Sequence, residues 1–167
     1  MAENTDLNKV WFIVSPQNPL KPSKGLLHEF DRYDLVRAAI SDHYKLEVSD
    51  VEFTLSKPNY TIHTLTHLSG KHPGKEFKVI IGEDNLENFI KWKNYQQILD
   101  HYGLYVYRRP PSKPSQLIDH PNVKIIDAPL LDISATYIRQ CIKANKSIRY
   151  LVPERVEQII KAKVFYL

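Results

Sequence analysis

The sequence predicts an α/β fold in which a mostly parallel sheet has helices on both faces. Two features support this prediction. Short, nearly continuous apolar runs, such as 9–15 and 77–81, are typical of strands that are buried on both faces. Segments whose apolar residues recur at helical spacing follow these runs, so that strands and helices alternate along the chain. No internal repeat or coiled-coil heptad interrupts the alternation.

Five strands are predicted, each from an apolar run bounded by polar or proline-containing segments. They comprise residues 9–15, 46–53, 77–81, 104–107 and 123–127. A proline-rich loop over 15–22 follows the first strand, and its prolines exclude a helix there. A second exposed loop, 110–121, contains four prolines and separates the last two strands.

Helices are predicted where apolar residues recur every three or four positions. Helices are predicted over 29–42, 94–101 and 134–145. Another helix follows Thr61, shorter helical pieces extend up to residue 92, and a last helix starts near Pro153. The residues that define their apolar faces are Phe30, Tyr33, Val36, Ile40, Ile62, Leu65, Leu68, Ile138, Cys141, Ile142, Val156, Ile159 and Ile160.

Composition restricts the partners and the compartment. The chain has 167 residues, enough for one domain over 1–167 with a real core, and its net charge of +4 suits anionic ligands such as nucleotides. No dense Lys/Arg run favours nucleic acid, and no apolar run approaches the roughly 20 residues that span a membrane. The polar first residues do not resemble a signal peptide. The single cysteine, Cys141, excludes an internal disulfide and is expected to pack in the core, which suits a reducing cytoplasm.

The stretch 133–139, with the sequence ISATYIR, is the strongest candidate for a ligand site. It follows a predicted strand and opens a predicted helix, so Ser134 falls at the N-cap. The hydroxyls of Ser134 and Thr136, the backbone N–H groups of the first turn and the Arg139 side chain would converge on one helix end, which suits a phosphate chain. The alternative is that Ser134 only caps the helix and that Arg139 is a solvated surface charge.

Other polar residues follow predicted strands, at the edge where parallel α/β sheets bind ligands. Asp84 is either an ordinary N-cap or a carboxylate that holds a ribose hydroxyl. Lys21 and Arg109 are either contacts to substrate or phosphate, or solvated charges. Trp92 is either a core residue or a surface for a flat pyridine ring. Thr64 is either an exposed threonine on a helix or a donor to a small carboxylate.

The pattern Ile-Ser-x-Thr-x-Ile-Arg at 133–139 resembles the C-terminal signature of the nucleotidyltransferase superfamily, and in particular that of bacterial nicotinate-nucleotide adenylyltransferases. Further segments resemble the same family along nearly the whole chain. They are SPQNPLK from residue 15, DR from 31, YTIHTL from 60, GEDNL from 82, WK from 92, RP from 109 and IRYLVPE from 148. The resemblance implies a Rossmann-like nucleotidyltransferase fold.

The resemblance also implies an enzyme that transfers AMP from ATP to nicotinate mononucleotide, giving deamido-NAD and pyrophosphate for NAD biosynthesis, with Mg²⁺ accompanying ATP. Catalytic roles would fall to Ser134, Thr136 and Arg139, and no residue would bind a metal directly. The ATP side would comprise Asp84, Ser134, Thr136 and Arg139, and the substrate side Lys21, Thr64, Trp92 and Arg109.

The sequence departs from the family pattern at two places. His63 stands on the substrate side, where many members have Asp. The family's opening loop, Gly-x-Phe-x-Pro-x-His-x-Gly-His, is not found among the seven histidines and five glycines. We therefore expect the chain to start inside the family's first helix, without the first strand, through a mis-assigned start or a truncation. His63 and His67 have a spacing that can bind a metal on a helix, but two surface histidines are expected.

Two alternative functions follow. One is a catalytically impaired nucleotide-binding fragment, which would bind ATP without releasing pyrophosphate. The other is an adenylyltransferase of the same superfamily with another substrate, such as phosphopantetheine, although the segments of Thr64 and Trp92 argue against it. The sequence leaves open homo-oligomerisation and the preference between nicotinate and nicotinamide.

Overall fold

The computed structural model describes residues 1–19, 25–108 and 115–167. They form two compact units, each assembled from segments that are distant in sequence. The first unit comprises the described residues of Met1–Leu7, Gln17–Pro22 and Leu55–Leu130, and the second those of Asn8–Pro16, Ser23–Thr54 and Leu131–Leu167. The single domain expected from the sequence stays a prediction.

All five predicted strands are present among the described residues; the strand at 104–107 has the predicted bounds, and the other four are shorter than expected. They are β1 (Val10–Ile13), β2 (Leu46–Ser49), β3 (Val79–Gly82), β4 (Leu104–Tyr107) and β5 (Val123–Ile126). The segment predicted as strand 46–53 changes conformation after Ser49, because residues Val51–Thr54 form a 3₁₀ turn. The C-terminal half of that segment is therefore not strand.

In the described residues, six α-helices lie between and after the strands, at positions close to those predicted. They are α1 (Glu29–Ile40), α2 (Thr61–Lys71), α3 (Glu83–Leu86), α4 (Tyr95–His101), α5 (Ala135–Lys143) and α6 (Glu154–Ala162). A 3₁₀ turn, Phe89–Lys91, precedes Trp92. Pro153 occupies the N-cap of α6, as its position in the sequence predicts. Within the described residues, none of the helices is long and apolar enough to cross a membrane.

The second unit contains a two-stranded parallel sheet. β1 pairs with β2 so that Val10 lies opposite Leu46 and Ile13 opposite Ser49. The expectation that the first strand is buried on both faces is wrong, since its residues are only partly buried and Phe12 is 41% exposed. The reason is that the described residues leave the Phe12 face of this small sheet partly open to solvent.

Helix α1 packs only in part through the face that the sequence predicts: Tyr33, Val36 and Ile40 are partly buried, and the rings of Phe30 and Tyr33 contact Phe53 edge-on. Phe30 is 60% exposed, whereas Leu35, Ala38 and Ala39 pack against the core of the second unit. That core consists of Cys141, Ile142, Ile148, Val156 and Ile160. The burial of Cys141 confirms its predicted role in core packing.

The first unit contains a three-stranded sheet with the order β3-β4-β5, and all its pairs are parallel. Gly82 pairs with Tyr107, and Tyr107 with Ile126, so the three strands end level with one another. Polar residues follow these ends, and Nε of Arg108 donates to Oδ1 of Asp127 at 3.1 Å. This is the sheet edge at which parallel α/β proteins bind ligands.

The core of the first unit is formed by this sheet together with α2, α3, the 3₁₀ turn Phe89–Lys91 and α4. Ile62, Leu65 and Leu68 are buried along α2, which confirms the predicted face. The largest fully buried side chains are Phe89, Leu86, Ile98, Leu104 and Val106. Burial of such side chains contributes roughly 1.5–3 kcal/mol each relative to exposure. The strand ends and helix starts beside this core are therefore firmly held.

Candidate functional site

Helix α5 begins with the cap that the sequence predicts. Ser134 has an extended backbone, with φ −111° and ψ 148°, and its Oγ accepts the N–H of Tyr137 at 3.1 Å. Cys141 and Ile142 are buried on the inner face of the helix, while Ser134 and Thr136 are exposed. The positive end of the helix dipole and two hydroxyls thus lie at the surface, where an anion can reach them.

A cleft of about 450 Å³ lies beside α5 in the second unit. Gly25, Thr136, Arg139, Gln140, Lys143 and Tyr166 contribute to its lining. Arg139 is only partly exposed, its Nη2 lies 3.5 Å from Oγ1 of Thr136, and its Cζ lies 5.9 Å from the centroid of the Tyr166 ring. Arg139 thus contacts Thr136 and Tyr166 on the cleft wall.

The lining of the cleft includes two basic side chains, those of Arg139 and Lys143. Burial raises the pKa of Tyr166 above its ordinary value of 10.0, and the positive charges of Arg139 and Arg32 oppose that rise. Arg32 is fixed because its guanidinium donates to the carbonyls of Ser15 at 2.7 Å and Leu27 at 3.1 Å. Two guanidinium groups near one ring, with Lys143 on the cleft wall, favour an anionic ligand. Tyr166 was not a candidate from the sequence, because no local pattern places a C-terminal tyrosine beside α5.

In the first unit, Asp84 lies inside the first turn of α3, and the N-cap is Gly82. The ordinary N-cap interpretation of Asp84 is therefore wrong. Its exposed carboxylate accepts a hydrogen bond from Nδ2 of Asn85 at 3.4 Å. A Cβ atom on Gly82 would collide with this carboxylate and would lie 3.1 Å from Cζ and from the hydroxyl of Tyr107. The sequence signal for this close approach is a glycine that ends an apolar strand.

Thr64 is buried, with 4% of its surface exposed, so the alternative of an exposed threonine is wrong. The reason is that residues 64, 65 and 68 lie on one helical face, and Leu65 and Leu68 belong to the core. Its backbone N–H and its hydroxyl both donate to the carbonyl of Tyr60, at 3.2 and 3.4 Å. Both hydrogen-bond donors of Thr64 are therefore bonded to the residue that precedes α2.

Trp92 is partly buried and packs against the core of the first unit, with its ring centroid 5.0 Å from that of Phe89. The next residue connects this segment to α2, since Nζ of Lys93 lies 4.5 Å from the centroid of the Tyr60 ring. The segments that carry Thr64 and Trp92 are therefore neighbours. Neither Lys93 nor Tyr60 was a candidate from spacing alone.

Two predicted site residues, Lys21 and Arg109, lie outside the described residues. His63 is exposed and lies 5.6 Å from the Tyr60 ring, centroid to centroid, in an edge-on arrangement. In the part of the chain that the structure describes, no three His, Cys, Asp or Glu side chains are grouped so that they could hold a metal ion.

The family model of the cytidylyltransferase-like proteins matches residues 1–141. A protein of Cytophaga hutchinsonii, named a probable nicotinate-nucleotide adenylyltransferase, is 57% identical over 166 residues, which are 99% of this chain and 86% of that protein. A protein of Flavobacterium psychrophilum with the same name is 47% identical over 168 residues, 99% of this chain and 87% of its own length.

The solved structure of a nicotinic acid mononucleotide adenylyltransferase of Plasmodium falciparum, complexed with NaAD, aligns with a TM-score of 0.77. The two sequences are 17% identical, and the alignment covers 95% of this chain and 82% of the other. At this low identity the likeness shows the fold alone. The predicted Rossmann-like α/β fold is confirmed by this likeness and by the parallel sheets. The relatives of 57% and 47% identity extend over 99% of the chain, so the chain belongs to the cytidylyltransferase-like family and, within it, to the nicotinate-nucleotide adenylyltransferases.

Proposed function

We propose that this protein transfers AMP from ATP to nicotinate mononucleotide and releases pyrophosphate, a step of NAD biosynthesis. The observation that carries the proposal is the cleft beside α5, where Thr136 and Arg139 line a wall with two basic side chains, next to a capped helix N-terminus. Such a set of donors matches the phosphate chain of a nucleotide. The relatives of 57% and 47% identity are named as probable enzymes of this activity.

The chemistry is one in-line displacement. A 5′-phosphate oxygen of nicotinate mononucleotide attacks the α-phosphorus of ATP, the bond from that phosphorus to the bridging oxygen breaks, and pyrophosphate leaves with the electron pair. The nucleophile is already anionic, so no general base is needed. Catalysis then depends on holding the two phosphates in line and on stabilising the charge that develops on the leaving group.

On the ATP side, we assign Arg139 and the first turn of α5, with Ser134 and Thr136, to the β- and γ-phosphates. The guanidinium of Arg139 offers several N–H donors in one plane, which suits two phosphate oxygens at once. Asp84 is assigned to the ribose of ATP, where its carboxylate would accept a hydrogen bond from a hydroxyl group.

On the substrate side, we assign Thr64 and Trp92 to the nicotinate ring and its carboxylate. The contact between Lys93 and Tyr60 supports this, because it brings the two segments together. The Thr64 hydroxyl would have to turn away from the Tyr60 carbonyl to donate to the carboxylate. Lys21 and Arg109 are assigned to the substrate as well, from their positions in the sequence alone.

A divalent cation, which we propose to be Mg²⁺, fits this site as a companion of ATP. Among the described residues there is no group of three metal ligands, and Mg²⁺ takes most of its oxygen ligands from phosphates and water at such sites. When bound, the ion neutralises the triphosphate and the departing pyrophosphate. We propose that the reaction takes place in the cytoplasm, where a buried free thiol such as Cys141 stays reduced.

The decisive experiment offers the protein ATP together with one of three acceptors: nicotinate mononucleotide, nicotinamide mononucleotide or phosphopantetheine. Pyrophosphate release and the mass of the product are followed, and ATP binding is measured separately by calorimetry. We expect pyrophosphate and deamido-NAD with nicotinate mononucleotide and much less product with the others. Equal or faster turnover of phosphopantetheine would contradict the proposal. ATP binding without pyrophosphate release for any acceptor would favour a nucleotide-binding module.

A further inference from the structure

The C-terminal residues of the second unit fold back onto the cleft beside α5. The N–H of Phe165 donates to the carbonyl of Ile160 at 3.0 Å, and Nζ of Lys163 lies 2.6 Å from Oδ1 of Asp31 in α1. Phe165 and Tyr166 then pack against the core of the second unit. The segment that follows α6 is thus fixed by a backbone hydrogen bond, an ion pair and apolar contacts.

Two residues of this segment adopt an unusual backbone conformation. Val164 has φ 56° and Tyr166 has φ 69°, in the left-handed region that residues other than glycine seldom occupy. For a β-branched residue such as valine this conformation is rare, and it persists only where the surrounding structure holds it. In this conformation the Tyr166 side chain lines the cleft.

The Tyr166 ring lies under the guanidinium of Arg139, with Cζ of Arg139 5.9 Å from its centroid. Thr136 approaches the same guanidinium, with its Oγ1 3.5 Å from Nη2. A ring contact uses the flat face of a guanidinium and leaves N–H groups at its edge for phosphate oxygens. An aromatic neighbour can therefore orient the arginine without competing for the ligand.

We propose that Tyr166 is a positioning residue for Arg139, which its ring holds in the orientation that receives the phosphates of ATP. The inference rests on the proposed function, because it takes Arg139 to be an ATP contact. The ring is the part of Tyr166 that acts, and the hydroxyl is not required. Removal of the ring should weaken ATP binding without changing the binding of nicotinate mononucleotide, since Arg139 is assigned to ATP alone.

The test compares Tyr166→Leu with Tyr166→Phe, and ATP binding is measured by calorimetry so that it does not depend on turnover. We expect Tyr166→Leu to raise the Kd for ATP about three- to tenfold, from the usual strength of a cation–π contact. Tyr166→Phe should keep the affinity of the wild type, and both variants should bind nicotinate mononucleotide as the wild type does.

A second pair of residues provides a matched control. Tyr150 also has a left-handed backbone, with φ 66°, and Cζ of Arg149 lies 5.3 Å from its ring centroid. Tyr150 is 87% exposed and does not line the cleft. Tyr150→Leu therefore removes the same kind of contact at another place, and it should leave the Kd for ATP unchanged.

A double-mutant cycle separates positioning from a general effect on the fold. In the Arg139→Ala background, Tyr166→Leu should produce no further loss of ATP affinity. Equal losses in both backgrounds, or an unchanged Kd in the single variant, would overturn the inference while leaving the proposed function intact. Normal ATP binding with no product from nicotinate mononucleotide would overturn the proposed activity and not the inference. Failure of the wild type to bind ATP would overturn both.

Discussion

A side chain on Gly82 would collide with the carboxylate of Asp84. The two residues are the end of strand β3 and the first turn of α3, and the same added Cβ would lie 3.1 Å from the hydroxyl of Tyr107. Gly82 itself has φ −78°, which any residue can adopt. A side chain at this position would meet the carboxylate and the Tyr107 ring, so space and not the backbone angle favours glycine here.

We expect Gly82→Ala to weaken ATP binding and to lower the free energy of unfolding by about 1–3 kcal/mol, as overpacked sites do. Rotation of Asp84 away from the new methyl group would relieve part of the collision, so the loss of binding should persist even where stability recovers. Urea unfolding and calorimetry measure the two effects. Gly70→Ala is the matched control, because Gly70 is exposed in α2 with open space around it, and there the change should stabilise by about 0.5–1 kcal/mol.

The background of Asp84→Ala shows whether the collision is the cause. Without the carboxylate, Gly82→Ala should lose most of its effect on stability. If Gly82→Ala destabilises the protein equally in both backgrounds, the close approach to Tyr107 would be responsible, and the pairing of Gly82 with Asp84 would be of no consequence.

Local signals in the sequence predicted the features that depend on neighbouring residues. The N-cap of α5 could be predicted because it depends only on the Ser134 hydroxyl and the backbone N–H three residues later. The alternation of strands and helices could be predicted from local patterns in the same way. The sequence did not show which side of α1 packs against the core, because Glu29–Ile40 carries one apolar row with Phe30 and another with Leu35, Ala38 and Ala39. Only the position of the core decides between the two rows.

Long-range contacts explain what the sequence did not show about the site. Tyr166 approaches Arg139 from 27 positions along the chain, counted from the residue numbers, and no periodicity connects them. The burial of Thr64, in contrast, agrees with its position on the helical face of Leu65 and Leu68. The position of Tyr166 therefore has no local signal in the sequence, whereas the burial of Thr64 has one.

Substitutions of Ser134 can separate its capping role from a phosphate contact. Ser134→Ala removes the acceptor for the Tyr137 N–H and should lower the free energy of unfolding by about 1 kcal/mol. Ser134→Asp keeps a good cap and suits the helix dipole, so the stability should be retained. Its negative charge would repel a triphosphate, so ATP affinity should fall while the fold is intact.

Ser134→Thr serves as the control for that pair, because it preserves both the cap and the hydroxyl. Its stability and its Kd for ATP should be close to those of the wild type. An unaltered Kd in Ser134→Asp would show that Ser134 is only a cap and would remove it from the ATP side. Thermal unfolding and calorimetry on the same samples give both quantities.

Asn59 connects two segments of the first unit that come from distant parts of the chain. Its backbone N–H donates to the carbonyl of Gln17 at 3.1 Å, and its Oδ1 accepts the N–H of Gln17 at 3.4 Å. Asn59 is 6% exposed but Gln17 is an exposed residue, so truncation would remove this hydrogen bond while water could still reach the Gln17 N–H. We expect Asn59→Ala to lower the free energy of unfolding by about 0.5–1.5 kcal/mol.

The same substitution should affect the nicotinate mononucleotide side more than ATP. Asn59 lies directly before Tyr60 and α2, and Gln17 belongs to the segment that leads to Lys21. We therefore expect a higher KM for nicotinate mononucleotide and an unchanged Kd for ATP. Asn8→Ala, at an exposed position, is the control and should alter neither stability nor KM. A KM for nicotinate mononucleotide that stays at the wild-type value in Asn59→Ala would limit Asn59 to stability.

The hydroxyl of Tyr105 donates to Oδ1 of Asp6 at 2.5 Å, which connects β4 to the first residues of the chain. This hydrogen bond is the main cause that lowers the pKa of Asp6 below its ordinary value of 3.8, and it also raises the pKa of Tyr105 above 10.0. The depressed pKa of Asp6 means that its contribution to stability is present above pH 3.8 and is lost as the pH falls through the folded-state pKa. The raised pKa of Tyr105 means that its contribution is present below pH 10.0 and is lost as the pH rises through the folded-state pKa.

Tyr105→Phe should therefore be less stable than the wild type at neutral pH, and the difference should shrink below pH 3.8 and above pH 10.0. Urea unfolding at a series of pH values measures this difference. Tyr95→Phe is the control: Tyr95 is a partly buried tyrosine of the same unit that packs edge-on against Phe89, and no hydrogen bond of its hydroxyl is found among the described residues. Its difference from the wild type should not vary with acid pH. A Tyr105→Phe difference that stays constant from pH 7 to below pH 3 would mean that Asp6 is protonated or unbonded in solution, and that the N-terminal residues are not held by Tyr105.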